Sequence, residues 1–420
     1  MSTVWPSSNK NTPTSFKDLP AETTTEIFAR LPVKDLIKST SVNKTWYSLI
    51  NNPSFISSQI TRSLSNCHDN ALLIIPPITS HQNYCSLISA DTSSLIEKFD
   101  IPFETRSRSL KLITEVHGML LLTDLHMHYA SRDLYLWNPY VKRHRVLVSS
   151  CFRKVLDNRE KTYYVVGMGY DKTTDDYKVV RVVYVQDGFG RQFGDVEPKV
   201  EVYSFRKNTW RKLKDVGVPR LAIEDGAYVN GIYYWLELKQ PCTPEARTCY
   251  GNKLMMLCFD FDKEVFGDFK VPNDVFDSLG RLTPFRLMDF QGSLALCVLE
   301  VQRCNKEKSR YPYGIWLLRK ENNSVSWSLC NKVVLKKGGP PLNVTKNGTL
   351  VIESFGPERF DVSSIVSCNL KTMILVDHGF GKHGGPEVSQ FVMAPATVDT
   401  SFPESLIMYE GGKYLSKFSK

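Results

Sequence analysis

The chain has 420 residues and a formal net charge of +9, and this length predicts two structural units rather than one core. Acidic and basic residues are interspersed, and the densest basic stretch is RKNTWRKLK at 206–214. We interpret this stretch as the solvated rim of a hairpin, so we expect no nucleic-acid partner.

No apolar run approaches the ~20 residues that a membrane span needs, and the polar N-terminus lacks the apolar core of a signal peptide. We therefore expect no membrane partner and a location in the cytoplasm, the nucleus or both. The ten cysteines contain no CxxC pair. In a reducing compartment, we expect most of them to be buried free thiols.

Residues 1–15 are polar and predicted to be disordered, whereas residues 16–60 predict three helices. The first helix ends at Pro32, and the second is short and centred on Leu36. The third helix stops at Asn51-Asn52-Pro53, and its apolar stripe has the spacing i, i+4, i+7 and i+8. The residues of that stripe are Val42, Trp46, Leu49 and Ile50.

A helical module of this size is marginal by itself without disulfides, metal or a partner. The sequence therefore predicts that another protein covers part of its apolar surface. The stretch FKDLPAETTTEIFARLPVKDLIKSTSVNKTWYSLINNPSF resembles an F-box, the module of cullin-based ubiquitin ligases that binds a Skp-type adaptor and, through it, a cullin.

The resemblance implies adaptor contact at Leu19, Pro20, Ile27, Leu31, Pro32, Leu36, Val42 and Trp46. Some of these side chains must instead hold the helices together, and the sequence leaves open which ones. Two stretches depart from the usual F-box pattern. Thr23 to Thr25 replace more aliphatic residues, and Ser39 to Ser41 replace the usual basic, aromatic and cysteine residues.

After a linker at 61–70, residues 71–410 predict an all-β domain, and residues 411–420 form a polar tail. A unit that opens with glycine and an apolar strand recurs, as at Gly118, Gly231, Gly292 and Gly348. About six such units predict a six-bladed propeller whose first unit, at 71–103, departs most from the pattern. The tryptophans at equivalent places, predicted to be blade core, are Trp137, Trp210, Trp235, Trp316 and Trp327.

This region resembles the F-box-associated, kelch-related domain of plant F-box proteins. The segments that carry the resemblance are Asn138-Pro139, Gly169-Tyr170-Asp171, Asp176-Tyr177-Lys178-Val179, Val202-Tyr203, Trp210-Arg211, Asn230-Gly231, Tyr234-Trp235, Phe259-Asp260, Glu264, Phe266 and Ser405-Leu406. Together with the F-box, the resemblance covers nearly the whole chain.

Two sequence patterns are similar to ligand-binding sites, one for a dinucleotide and one for a metal, but we interpret both as loops. The stretch DHGFGKHGG at 377–385 contains a formal GxGxxG, yet Pro386 follows where a dinucleotide site needs a helix. His126 and His128 have no third metal ligand at a suitable spacing. No catalytic arrangement is recognisable, so we expect a protein that is not an enzyme, without cofactor or metal.

Three long polar loops, at 188–198, 239–252 and 302–314, are the best candidates for binding a target protein. Because arginine and aromatic residues dominate binding hot spots, the predicted anchors are Arg191, Phe193, Arg247, Tyr250, Arg310 and Tyr311. The alternative is that these loops are simply solvated.

The sequence therefore favours the substrate-recognition subunit of a Skp–cullin–F-box ubiquitin ligase. Such a subunit binds the adaptor through the F-box and a target through the propeller, which leads to ubiquitination and degradation. Two alternatives remain. One is a non-ligase binding propeller with a vestigial F-box, motivated by the departures at Thr23 and Ser39; the other is a receptor for a glycan or small ligand.

Overall fold

A computed structural model describes most of the helical module and the strands of the β domain. The described residues are 19–66, 70–75, 83–104, 110–126, 129–147, 150–156, 162–185, 197–214, 217, 222–238, 254–271, 284–300, 310–321, 324–354, 364–379, 397–400 and 402–408. The predictions for residues 1–15 and 411–420 lie outside them.

The N-terminal module contains four helices rather than the three predicted: α1 (Ala21–Phe28), α2 (Val33–Ser39), α3 (Lys44–Ile50) and α4 (Pro53–Asn66). Prolines begin three of them, because a proline at a helix start loses no backbone hydrogen bond. Pro20 and Pro32 immediately precede α1 and α2. Pro53, which we predicted to stop the third helix, is the first residue of α4.

The boundary of α3 also differs from the prediction. Asn43 caps this helix, and its side-chain oxygen accepts a hydrogen bond of 2.8 Å from the backbone N–H of Trp46. Val42 therefore precedes the helix and does not belong to its apolar stripe. The helix α4 extends to Asn66 and so occupies six residues of the predicted linker.

The β domain begins with three antiparallel strands and continues with complete four-stranded sheets, each of which is one blade. The first three strands are β1 (Ala71–Ile75), β2 (Tyr84–Ser89) and β3 (Leu95–Asp100). Blade 2 contains β4 (Leu110–Val116), β5 (Met119–His126), β6 (Tyr129–Asn138) and β7 (Arg143–Val146). The short helix α5 (Arg153–Leu156) precedes blade 3, which contains β8 (Thr162–Asp171), β9 (Asp176–Val185), β10 (Lys199–Ser204) and β11 (Thr209–Leu213).

Three more blades follow in the same order along the chain. Blade 4 contains β12 (Ala222–Val229), β13 (Ile232–Leu238), β14 (Leu254–Asp260) and β15 (Val265–Lys270). Blade 5 contains β16 (Phe285–Phe290), β17 (Ser293–Leu299), β18 (Tyr311–Glu321) and β19 (Ser324–Leu335). Blade 6 contains β20 (Pro341–Val344), β21 (Thr349–Ser354), β22 (Ser364–Asn369) and β23 (Leu375–Asp377).

The last strand, β24 (Thr397–Asp399), closes the ring by pairing antiparallel with β1, with Leu73 opposite Asp399. Blade 1 is therefore β24, β1, β2 and β3, which confirms the prediction of six blades. The first unit departs from the repeat because its innermost strand comes from the far end of the sequence. The seam between blades 6 and 1 is packed with buried aliphatic side chains such as Leu72, Val351 and Val398.

The turns that join the first and second strands of neighbouring blades touch one another, so they lie on one face of the propeller. The Asn230 side chain donates a 2.7 Å hydrogen bond to the Gly292 carbonyl. Gln291 donates one of 3.0 Å to the Lys346 carbonyl. We name this side the turn face. Because strands alternate in direction within each blade, the connections between second and third strands emerge on the opposite side, the loop face.

Aromatic side chains fill the space between blades. Trp137 and Trp235 are fully buried, Trp210 is nearly so, and Trp316 and Trp327 are partly buried in the apolar cluster of blades 4 and 5. This confirms the prediction that the tryptophans are blade core.

Of the cysteines that the structure describes, Cys85, Cys297 and Cys368 are buried free thiols, as predicted, while Cys330 is exposed. Burial raises the pKa of the Cys297 thiol to about 12.

Candidate protein-interaction surfaces

The helical module packs directly on the turn face of the propeller. Its core side chains share one apolar cluster with Val141 of blade 2 and Leu406 of the C-terminal segment. The helical members of the cluster are Phe28, Val33, Leu36, Ile50 and Phe55. The sequence assigned the surplus apolar surface of the module to a separate protein, and the structure assigns part of it to the chain's own propeller.

Residues 402–408, which we name the clasp, join the two units. The Glu404 carboxylate accepts a 2.8 Å hydrogen bond from the backbone N–H of Val33 at the start of α2, a position where the helix dipole favours negative charge. The buried Asn138 amide donates to the carbonyls of Ser405 and Ile407, at 3.0 and 2.8 Å. Two segments that carried the family resemblance, Asn138-Pro139 and Ser405-Leu406, are therefore in direct contact.

Gly118 allows the clasp to approach blade 2 closely. A Cβ atom at this position would lie 2.5 Å from the Ser405 Cβ and 2.7 Å from the Pro403 carbonyl oxygen. The far end of the module is held separately, because Lys346 of blade 6 donates a 3.3 Å hydrogen bond to the Leu64 carbonyl in α4. Contacts at α2, the clasp and α4 thus fix the orientation of the helices on the propeller.

The structure separates the residues implied in adaptor binding into core and surface. Leu36 has 0% of its surface exposed, so it is a core residue and we do not include it in an adaptor interface. Leu19, Ile27, Leu31 and Trp46 are half-buried, and the Trp46 ring packs edge-on against Phe28 with centroids 4.9 Å apart. Those that remain exposed are Pro20, Pro32 and Val42.

Val42 is 61% exposed, and Tyr47, which the sequence analysis did not select, is 40% exposed. These are the only two large apolar side chains of the described helical module that are this exposed. Tyr47 lies outside the apolar stripe of α3, and that departure is the signal in the sequence that could have identified it. Both side chains are therefore available for contact with another protein.

The threonine and serine residues that depart from the F-box pattern are accommodated locally. The hydroxyl of Thr25 donates to the Ala21 carbonyl at 2.8 Å, and that of Ser39 donates to the Asp35 carbonyl at 2.8 Å. Thr24 and Ser41 make similar bonds within one turn. Because these hydroxyls are satisfied by their own helices, the departures leave the fold of the module intact.

Four of the six predicted target anchors, Arg191, Phe193, Arg247 and Tyr250, lie outside the described residues. Arg310 is exposed at the start of β18. The neighbouring Tyr311 is half-buried, because its ring fills the space over Gly338. Arg310 is therefore accessible to a partner and Tyr311 only in part, and their role as target anchors stays a prediction.

The structure describes the side chain of one histidine from the two stretches that suggested ligand binding in the sequence. His378 is buried and bridges blades 6 and 1, with its ring nitrogens 2.7 Å from the Ser93 hydroxyl and 2.9 Å from the Ser367 hydroxyl. The first histidine of the glycine-rich stretch thus has a structural role, and residues 380–396 lie outside the described part. The side chains of His126 and His128 also lie outside it. Among the residues that the structure describes, no cluster of three potential metal ligands occurs.

A buried ion network joins blades 3 and 4 and uses several residues of the family resemblance. The Lys178 ammonium lies 2.5 Å from an Asp171 oxygen and 2.6 Å from a Glu264 oxygen, and Arg211 also pairs with Glu264. Burial alone would raise the pKa of Asp171, but hydrogen bonds from Lys178 and Thr174 lower it to about 2. This network links the facing surfaces of blades 3 and 4.

The fold and its surfaces define a class of protein: a small helical module held rigidly on a six-bladed propeller, with exposed apolar groups on the module. The family model described as "F-box associated beta propeller domain" matches residues 79–371, and the F-box domain model matches residues 16–58. The chain therefore belongs to the F-box associated beta propeller family and is an F-box protein.

Curated proteins with similar sequences are also F-box proteins. The F-box protein CPR1 of Arabidopsis thaliana is 28% identical over 200 residues, which cover 47% of this chain and 46% of that protein. The F-box/kelch-repeat protein At3g23880 of Arabidopsis thaliana is 26% identical over 325 residues, which cover 74% of this chain and 78% of that protein. The chain thus spans about half the length of the first of these relatives.

A solved structure described as that of YjhT aligns at 12% identity with a TM-score of 0.39, covering 73% of this chain and 94% of that one. We draw no conclusion from it. In the part of the chain that the structure describes, no helix is long and apolar enough to cross a membrane.

Proposed function

We propose that this chain is the substrate receptor of a Skp–cullin–F-box ubiquitin ligase. The F-box binds a Skp-type adaptor, which bridges to a cullin, and the propeller holds a target protein whose ubiquitination leads to degradation. The observation that carries the proposal is the exposure of Val42 and Tyr47 on a family-matched F-box whose core side chains, such as Leu36, are buried.

The arrangement suits a receptor that does no covalent chemistry itself. The F-box sits on the turn face, while the long connections that are candidates for target binding leave from the loop face. Contacts from the clasp and from Lys346 fix the two units relative to each other. A rigid connection holds a bound target at a defined distance from the ubiquitin carrier, which raises its effective concentration.

Co-purification of the whole chain with a Skp-type adaptor tests the proposal. Replacing Val42→Asp puts a charge where an apolar contact is proposed, and we expect affinity for the adaptor to fall roughly ten-fold or more. Val325→Asp is the matched control, because Val325 is 40% exposed on β19 of the propeller and lies opposite Lys320. This control should bind the adaptor as the wild type does.

The Leu31→Ala, Pro32→Ala double variant tests a second part of the same surface. If folded wild-type chain binds no adaptor, or if Val42→Asp and Val325→Asp bind equally well, the ligase function is refuted. The chain would then be a stand-alone binding propeller with a vestigial F-box.

A further inference from the structure

A cleft of about 800 Å³ opens on blade 3 at its loop-face end. Its walls are the segment Ser150–Val155, the start of β10 and the end of β11. Its volume lies within the range of pockets that bind ligands or short segments of chain. The cleft faces away from the F-box, which is the side where a receptor would hold its target.

The lining of the cleft is strongly basic. Its four cationic side chains, all exposed, are Arg153, Lys199, Lys212 and Lys214, and the one carboxylate in the lining is Glu197. Within the described residues, none of these four cations has a carboxylate within 4 Å, unlike the paired cations of the same blade.

Several other cations of blade 3, outside the cleft, are paired with carboxylates. Lys178, Arg206 and Arg211 each lie within 3 Å of a carboxylate, and the buried Arg181 lies 3.4 Å from Glu201. Among the described residues, the paired cations of blade 3 thus lie outside the cleft, and the cleft lining, with four cations and one carboxylate, carries a formal net charge of +3. Unpaired like charges repel one another, so an acidic ligand that entered would relieve an existing cost.

The wall of the cleft is rigid and carries an apolar surface. The buried Glu201 carboxylate accepts hydrogen bonds from the Ser150 hydroxyl at 2.8 Å and the Cys151 backbone N–H at 2.7 Å. These bonds fix the segment that presents Phe152. The ammonium groups of Lys212 and Lys199 lie 5.3 and 6.0 Å from the centre of the Phe152 ring, so two of the four cations lie beside an aromatic side chain in the cleft.

We propose that this cleft binds an acidic segment of the target protein, with its carboxylates on the lysines and arginine and an apolar side chain against Phe152. The proposal rests on the receptor function and specifies the chemistry of the target. This proposal differs from the interpretation of residues 206–214 as a solvated rim. In the structure, Lys212 and Lys214 line the same cleft as Arg153 and Lys199, which come from two other segments. A protein partner is favoured over nucleic acid because Arg206 and Arg211, two other cations of the same basic stretch, are paired with carboxylates and so do not extend the cleft into a longer basic track.

Fluorescence anisotropy with the whole chain tests the proposal. The probe is a labelled decapeptide of aspartate and glutamate with one central leucine, and the reference is the same peptide with asparagine and glutamine. We expect the acidic peptide to bind more tightly and to weaken with added salt. Lys212→Glu should reduce its affinity roughly ten-fold, and Lys212→Ala should reduce it less.

Lys207→Glu is the matched control. Lys207 is exposed in the turn between β10 and β11, at the opposite end of the blade from the cleft, so its reversal makes the same change in net charge without touching the site. Equal binding of both peptides, or equal loss for Lys207→Glu and Lys212→Glu, would overturn the proposal. Displacement of the acidic peptide by an equal concentration of a ten-nucleotide DNA strand would also overturn it, in favour of nucleic acid.

The adaptor measurement separates this inference from the function on which it rests. Lys212→Glu should co-purify with the adaptor as the wild type does, whereas Val42→Asp should keep its affinity for the acidic peptide. Loss of both activities in either variant would indicate misfolding, which circular dichroism detects.

Discussion

Two glycines at equivalent turns of the repeat allow a test of how the clasp joins the two units, because only one of them lies against the clasp. Gly118 and Gly231 both lie in turns between first and second strands, with positive φ of +80° and +89°. An alanine in this left-handed region is strained by about 1–2 kcal/mol at either site. Only at Gly118 would the added Cβ meet the clasp, 2.5 Å from the Ser405 Cβ, whereas at Gly231 it would meet nothing within 4 Å.

We therefore expect Gly118→Ala to cost about 1–3 kcal/mol more than Gly231→Ala, which is the usual range for overpacking at a rigid contact. The extra cost should appear as opening of the clasp. A difference of about 2 kcal/mol corresponds to hydrogen exchange about 30-fold faster at the amides of residues 404–408.

Hydrogen exchange measured by mass spectrometry on the whole chain, together with thermal unfolding, distinguishes the outcomes. Gly231→Ala should lower the melting temperature slightly and leave exchange in the clasp unchanged. If the two variants have the same effect on the clasp, the close approach between Gly118 and Ser405 does not hold the units together, and the reasoning is wrong.

Two further predictions concern the propeller. Lys178→Met should destabilise the protein by about 3–5 kcal/mol, because it leaves the buried Asp171 carboxylate without a cation, while Glu264 keeps only Arg211. Lys263→Met removes an exposed partner of Asp260 and should cost less than about 1 kcal/mol, so equal denaturant midpoints for the two variants would contradict this reasoning. Burial, with a smaller contribution from Lys172, lowers the pKa of His117 to about 4, below its value of about 6.5 in an unfolded chain. The folded state thus binds fewer protons in this interval, and stability should fall as pH drops from 6.5 towards 4, by up to about 3 kcal/mol. His117→Asn, which tolerates the positive φ, should lack this contribution, so its deficit relative to wild type should narrow on acidification, and a constant deficit would refute the assignment.

The sequence predicted three of the four helices of the N-terminal module and missed one helix and one helix boundary. Apolar spacing identified α1 to α3 and the F-box pattern, since both depend on residues close in the chain. It missed α4 because Pro53 was interpreted as a stop signal, although a proline is equally suited to a first helical turn. It also placed Val42 within a helix, since periodicity alone does not detect that Asn43 caps α3.

The propeller shows the same division. The recurring glycine and the strand pattern predicted six blades, because five of the six blades are built from four strands that are consecutive in the chain. The odd first unit was visible in the sequence, but its cause was not, because the missing strand lies more than three hundred residues away in β24. The sequence also did not predict the basic cleft on blade 3. Its cations come from three segments that are separated in the chain, and only one of these segments was identified as basic from the sequence.

By itself, the sequence determined the two-unit organisation, the helical character of the F-box, the six repeated β units and the burial of the tryptophans, because these follow from local periodicity and turn chemistry. Only the tertiary structure decided which F-box side chains are covered. Leu36 and Val42 follow the same family pattern, yet Leu36 is buried in the apolar cluster that the helices share with the propeller, whereas Val42 is exposed. The tertiary structure also decided the closure by β24, the clasp and the gathering of unpaired cations, because each depends on contacts between residues far apart in the chain.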